Sequence, residues 1–254
     1  MITVRKANFL VRCGVGILLF PLSGVAAEGI VQTPSLTANQ VIERMIERDQ
    51  WRRSALQQYI SNRRYVADNE KFRKHAEVVV RETYVYPGKK EFETLSESGS
   101  DYIRHKVISK LIEAELDAAQ NENRDQTKIT PENYKFQLLG TEEQEGHPCF
   151  LIAVGPRQSK KYLMKGRIWV DREDFAIVRM EGSPAKNPSF WTRKVQFIRR
   201  YQKHGPFWLA VSIESESELL IAGKSSLKIE YSDYVITEAE GDQKIAMLRK
   251  GSPQ

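Results

Sequence analysis

VQFIRRYQKH, a Gly205-Pro206 turn and FWLAVSIESESEL together form the stretch Val195–Leu219, and its reading decides the fold. On the second arm Leu209, Val211 and Ile213 alternate with Ala210, Ser212 and Glu214; on the first, Val195 and Phe197 alternate with Lys194 and Gln196. A period of two across a Gly-Pro turn describes an antiparallel hairpin with one apolar and one charged face. The same pattern continues on both sides. Upstream, Val178 and Met180 stand against Arg179 and Glu181. Strands are expected near Tyr134–Glu143, Cys149–Gly155, Tyr162–Asp171, Phe175–Pro184, Trp191–His204, Phe207–Leu219 and Ser225–Ile236. The turn signals EGHP (145–148), DRED (171–174), AKNP (185–188), GP (205–206) and AGK (222–224) separate them. Consecutive hairpins of this kind give a meander.

Further upstream, Thr37 with Gln40 forms a capping-box signal, and Val41, Ile42, Met45 and Ile46 recur at helical spacing, so a helix is expected over about 38–55. An extended run at Tyr59–Ala67 and a hairpin of Ala76–Tyr86 with Glu91–Glu97 follow. Between Asp101 and Gln120 the period changes: Ile103, Val107, Leu111, Ala114 and Ala118 form a stripe, widened by Ile108, Ile112 and Leu116. The expected fold is mainly β, a strongly curved antiparallel sheet or half-open barrel lidded by helices. The sheet should curl round the 101–120 helix, and apolar surface left uncovered becomes a cavity.

The N-terminus reads as an export signal. Arg5, Lys6 and Arg12 precede the apolar run GVGILLFPL (14–22), and SGVAA (23–27) supplies small residues for cleavage. The apolar run is shorter than the roughly 20 residues a membrane-spanning helix needs. Residues 1–27 are therefore expected to leave a soluble mature domain of residues 28–254, working in the periplasm or otherwise outside the cytoplasm. The three signal charges account for half of the formal +6, and the remaining basic residues are scattered among acids. No concentrated basic stripe marks a nucleic-acid partner.

Catalytic patterns are missing. His75, His105, His147 and His204 show no zinc-ligand spacing. Asp171 and Asp174 flank a hairpin turn, where Asp bonds locally. Cys149 sits in the apolar run PCFLIAV (148–154) and reads as a buried, inert thiol. There is neither a Gly-x-Ser-x-Gly elbow nor a phosphate-binding glycine loop. The expectation is a non-enzyme without a cofactor or metal.

The runs GRIWVD (166–171), DFAIVRMEG (174–182), GPFWL (205–209) and LKIEYSDY (227–234) resemble the outer-membrane lipoprotein-sorting family, LolA-like and related to the lipid-binding half of the RseB/MucB stress regulators. Leu209-Ala210 stands where that family often has Leu-Pro, and Arg81 is the nearest match to its early Arg-Trp motif. The resemblance implies a half-open barrel with an apolar cavity for acyl chains. Its physical rationale is simple. Each methylene kept from water is worth about 0.8 kcal/mol, so an acyl chain needs an enclosed apolar site to travel through water. Candidate lining residues are Leu111, Trp169, Met180, Phe197, Trp208, Leu209, Val211 and Ile213, with Leu209, Val211 and Ile213 inside and Trp208 at the rim. The implied function is a periplasmic carrier or binder of lipid or lipidated protein, in outer-membrane lipoprotein sorting. Its partners would be acyl chains, an inner-membrane donor and an outer-membrane acceptor. The alternative is an envelope-stress sensor of the RseB/MucB type. Those regulators carry a second domain after the barrel, and this chain ends soon after its last expected strand, which favours a carrier or stand-alone binder.

Overall fold

The computed structural model describes residues 36–119, 125, 127–187 and 192–239; the export signal at 1–27, Trp191 and the tail beyond 239 lie outside them. Helix α1 (Ala38–Ala55) opens with the expected capping box. Thr37 N–H donates to Gln40 Oε1 at 2.9 Å, and Gln40 N–H donates to Thr37 Oγ1 at 3.3 Å. Strands β1 (Leu56–Asn69), β2 (Lys74–Val85) and β3 (Lys89–Gly99) follow, then the helical segments α2 (Asp101–Ile103) and α3 (Ser109–Ala119), joined by a π-turn at Arg104–Ile108. The chain then runs through β4 (Tyr134–Gln144), β5 (His147–Pro156), β6 (Met164–Asp171), β7 (Ile177–Pro184), β8 (Thr192–His204), β9 (Phe207–Leu219) and β10 (Gly223–Glu238).

These strands form one antiparallel sheet in the order β3-β2-β1-β10-β9-β8-β7-β6-β5-β4, open between its edges β3 and β4. The fold is mainly β, as the alternation implies. Register carries one row of side chains across the whole sheet: Leu138, Ile152, Ile168, Met180, Arg199, Ile213, Ile229, Tyr65, Val78 and Glu97. This is the concave face. It is apolar except at Arg199 and at Glu97 on the edge strand. The neighbouring row places Gly166 opposite Gly182, before Phe197. A Cβ on Gly166 would lie 2.0 Å from the Glu181 carbonyl oxygen. Two glycines here leave the concave face bare beside Phe197.

Two helices contribute to the core, unequally. Val41, Ile42 and Met45 of α1 are buried against Ile152, Ile168, Val170 and Phe175. Ile103 and Ile108 join Tyr65, Val78 and Ile229 in a second cluster. The expectation of a largely buried helix at 101–120 needs correction, since α3 contains no fully buried residue. The cause is the π-turn, in which Ser109 N–H bonds Arg104 C=O. One extra residue per turn shifts the phase, so Ile108 follows Ile103 on the inner side and Val107 is turned outward. Leu111 is then 37% exposed, whereas Ile108 is 1% exposed.

Bulges correct two further expectations. Register slips between Trp169 and Val170, so Trp169 faces Arg179 and Val170 faces Ile177. Val178 therefore packs with Trp169 and Cys149, away from Met180. Strand β7 begins at Ile177, two residues later than expected, because Phe175 holds a left-handed φ of 49° inside the turn. A second slip leaves Val211 unpaired between Ala210 and Ser212.

A candidate binding groove on the concave face

Two adjoining cavities lie between the helices and the concave face. The first, about 580 Å³, is walled by Tyr84 and Lys90 of the β2–β3 hairpin, Glu115 and Ala119 of α3, and Leu163, Met164, Met180, Phe197 and Arg199. The second, about 930 Å³, lies under α1, against Met45, Ile46, Leu56, Phe175, Ile177 and Trp208. Arg53, Ile129, Met180 and Arg199 border both. Each volume falls in the range of about 300–1,000 Å³ in which small ligands are held.

The structure distributes the eight expected lining residues unevenly. Met180 and Phe197 line the groove. Trp208 lines the larger cavity, and its Nε1–H donates to Asp174 Oδ2 at 2.9 Å. Leu209 is instead packed in a cluster with Ala55, Leu56 and Phe207. Trp208 thus stands at the cavity's edge, packed also toward Cys149, Trp169 and Val178, while Leu209 is buried against the end of α1 and does not line either cavity. Ile213 packs against the Tyr65 cluster, and Val211 is half-buried at the bulge. Trp169 lies on the opposite face: its neighbours Ile168 and Val170 belong to the α1 core, while Trp169 packs with Cys149 and Val178. Arg179 stacks on its ring at 4.8 Å, and its Nε1–H donates to Glu142 at 3.0 Å. Leu111 stands outside the groove.

The groove also holds charges the sequence reading missed. Arg63 and Glu82 are 2% and 0% exposed on the concave face and form an ion pair. Arg63 also binds Glu115 of α3 at 2.6 Å. Lys90 Nζ lies 3.0 Å from Glu82 and 2.6 Å from Glu115. Tyr59 O–H donates to Glu82 Oε1 at 3.0 Å, and Arg63 stacks over the rings of Tyr231 at 4.8 Å and Phe92 at 5.1 Å. Burial alone would raise the Glu115 carboxyl, but Lys90 and Arg63 outweigh it and hold the group well below the usual carboxylate range. Burial, reinforced by Glu82, pushes the Tyr59 phenol well up, so it stays a donor. At the rim of the larger cavity, burial opposes ionisation of Asp174, but Lys203 at 2.7 Å and Trp208 hold its carboxyl low.

The residues that resembled catalytic groups have local roles. Asp171 accepts from the backbone N–H of Glu173 at 2.9 Å and Asp174 at 2.6 Å, and so fastens the turn. Cys149 is fully buried; burial and the nearby Asp171 push its thiol up to about 12. No group of three His, Cys, Asp or Glu side chains suited to a metal is present among the described residues, and no described helix is long and apolar enough to cross a membrane.

A family model described only as an uncharacterised "-like" protein matches residues 118–240. No curated protein matches the chain. Among solved structures, the chain is similar to an outer-membrane lipoprotein-sorting protein domain from Vibrio parahaemolyticus, at 14% identity and TM-score 0.42, over 84% of this chain and 98% of that one. It is also similar to a DUF1329 family protein from Desulfovibrio piger, at 14% identity and TM-score 0.41, over 82% and 96%. A LolA superfamily protein from Nitrosomonas europaea matches at 13% identity and TM-score 0.36, over 82% and 97%. The family resembled in sequence recurs here, but likenesses at this level assign neither a ligand nor a role.

Proposed function

We propose that this protein is an exported binder of lipid acyl chains and carries them, free or attached to protein, across the periplasm. The observation that supports this most is the concave groove, whose apolar wall of Met180 and Phe197, beside the buried Met164, is only partly covered by the core around α1. Met suits a site that accepts chains of varied shape, because it is unbranched and polarisable. Export by the signal read at residues 1–27 would put such a site where lipids and lipidated proteins must cross water. An inner-membrane donor and an outer-membrane acceptor would complete the route.

The test is titration of fully delipidated mature protein with hexadecanoate, followed by Trp fluorescence and thermal melting. Ligand at about 100 times Kd should stabilise the fold by about 2.7 kcal/mol. Met180 borders both cavities, so Met180→Trp should fill the groove and remove the ligand-induced shift while the unliganded melt stays within a few degrees. Absence of saturable binding by the wild type would overturn the proposal.

A further inference from the structure

We infer that the groove is built for an anionic amphiphile, with Arg199 as the counter-ion of its carboxylate or phosphate head. This rests on the acyl-binding reading and adds the chemistry of the head group. Arg199 occupies the middle of a cross-sheet row whose neighbours on either side are Met180 and Ile213. It borders both cavities. Its Nε is shut off from solvent and has no hydrogen-bond partner. Among the described residues no carboxylate lies within ion-pair distance of it; the Tyr201 ring lies 5.0 Å beneath the guanidinium, and Tyr231 and Glu115 are more distant electrostatic neighbours. Arginine cannot shed its proton in a protein, so this charge has to be met. A half-buried arginine on an apolar row, with no ion-pair partner, is costly, and the sheet would lose nothing of that row with Met or Leu in its place.

The smaller cavity is the one that favours an anion, since acidic and basic side chains balance around the larger one. The first cavity is bordered by four basic side chains, Arg53, Lys90, Lys161 and Arg199, and by one acidic side chain, Glu115. Glu115 is already engaged by Arg63 and Lys90. Arg53 is held by Asp49 at 2.6 Å and Lys161 by Asp117 at 3.0 Å. Arg199 is the basic group left for a ligand, and Met180 and Phe197 beside it supply the apolar surface for the chain that carries the head. A planar guanidinium offers two parallel donors to a carboxylate or phosphate oxygen pair.

The experiment compares hexadecanoate, hexadecyl phosphate and hexadecanol on the delipidated protein, at a pH where both acids are ionised. Inorganic phosphate alone is the fourth arm. Both acids should bind about 10–100-fold more tightly than the alcohol, the range a charge-assisted hydrogen bond provides. Arg199→Met should reduce acid affinity to that of the alcohol, leave the alcohol unchanged, and melt at or above the wild-type temperature. Arg199→Lys should recover part of the preference. Equal binding of acid and alcohol by the wild type would overturn this inference and leave the acyl-binding reading standing. Binding of none of the three amphiphiles would overturn both. Saturable, Arg199-dependent binding of inorganic phosphate without a chain would overturn the amphiphile assignment, because the site would then serve a free anion.

Discussion

Arg63→Met tests whether the charges on the concave face act as a unit. Four groups share the cluster, Arg63, Lys90, Glu82 and Glu115, and their charges balance. Removing Arg63 leaves Glu82, which is wholly enclosed, with only Lys90 to neutralise two carboxylates. Breaking a buried pair from one side costs about 3–5 kcal/mol, most of it the exposed debt of the remaining charge. Met keeps the aliphatic stem but loses the guanidinium's stacking on Phe92 and Tyr231; that loss is common to the single and the double variant and cancels in the comparison below. Glu82→Gln leaves an acceptor for Tyr59 and removes the opposite charge; alone it should cost a similar amount. The double variant restores neutrality, with Lys90 and Glu115 still paired at 2.6 Å. Its cost should fall short of the sum of the singles by about 2–3 kcal/mol. Urea unfolding at neutral pH measures all three against the wild type, in a domain whose total stability is on the order of 5–15 kcal/mol. Additivity within about 0.5 kcal/mol would refute the reasoning, since it would mean each charge is solvated on its own.

Other consequences can be checked more simply. Leu111→Asp should change stability by less than about 1 kcal/mol, because that side chain is already substantially in water, whereas Ile108→Asp should cost several kcal/mol by burying an uncompensated charge; thermal melts of the two decide it. The Glu115 carboxyl is held low in the fold. The stability it contributes is therefore fully present above the unfolded carboxylate pKa of about 4.3 and is lost as pH falls below that value. Glu115→Gln should flatten that acid limb in pH-dependent denaturation. The Cys149 thiol should resist a thiol reagent in the native protein and react only as fast as the chain unfolds, since both burial and a pKa near 12 suppress the thiolate; a native-state burst of labelling would contradict this.

Strand order and strand position were legible where alternation is long and uninterrupted, as in β8 and β9. What alternation cannot show is a one-residue slip. At Val178 and Val211 the sequence remains apolar through the bulge, so nothing in it marks that the side chains change face. The π-turn at Arg104–Ile108 is the helical form of the same blindness. Ile103, Val107 and Leu111 make a better α-helical stripe than Ile103, Ile108 and Ile112, and only packing against β1, β2 and β10 selects the second.

The charged part of the groove was illegible for a different reason. Arg63, Glu82, Lys90 and Glu115 come from three strands and a helix, and each alone reads as an ordinary surface residue. Burial becomes tolerable only because all four meet, which is a property of the tertiary fold. Arg199 differs. It lies two residues beyond Phe197 and four beyond Val195, on the face that alternation assigns to the interior, so its conflict with that face is written in the sequence. A charge placed on an apolar face, with no carboxylate within ion-pair distance among the described residues, is a local cost that folding recovers only in part. Such costs concentrate where a protein meets a ligand. The four-charge cluster is satisfied within the chain and holds α3 to the sheet. Arg199 forms no ion pair there, which is why the two sets of charge on this face are assigned different work: one closes the structure, and the other awaits an anion.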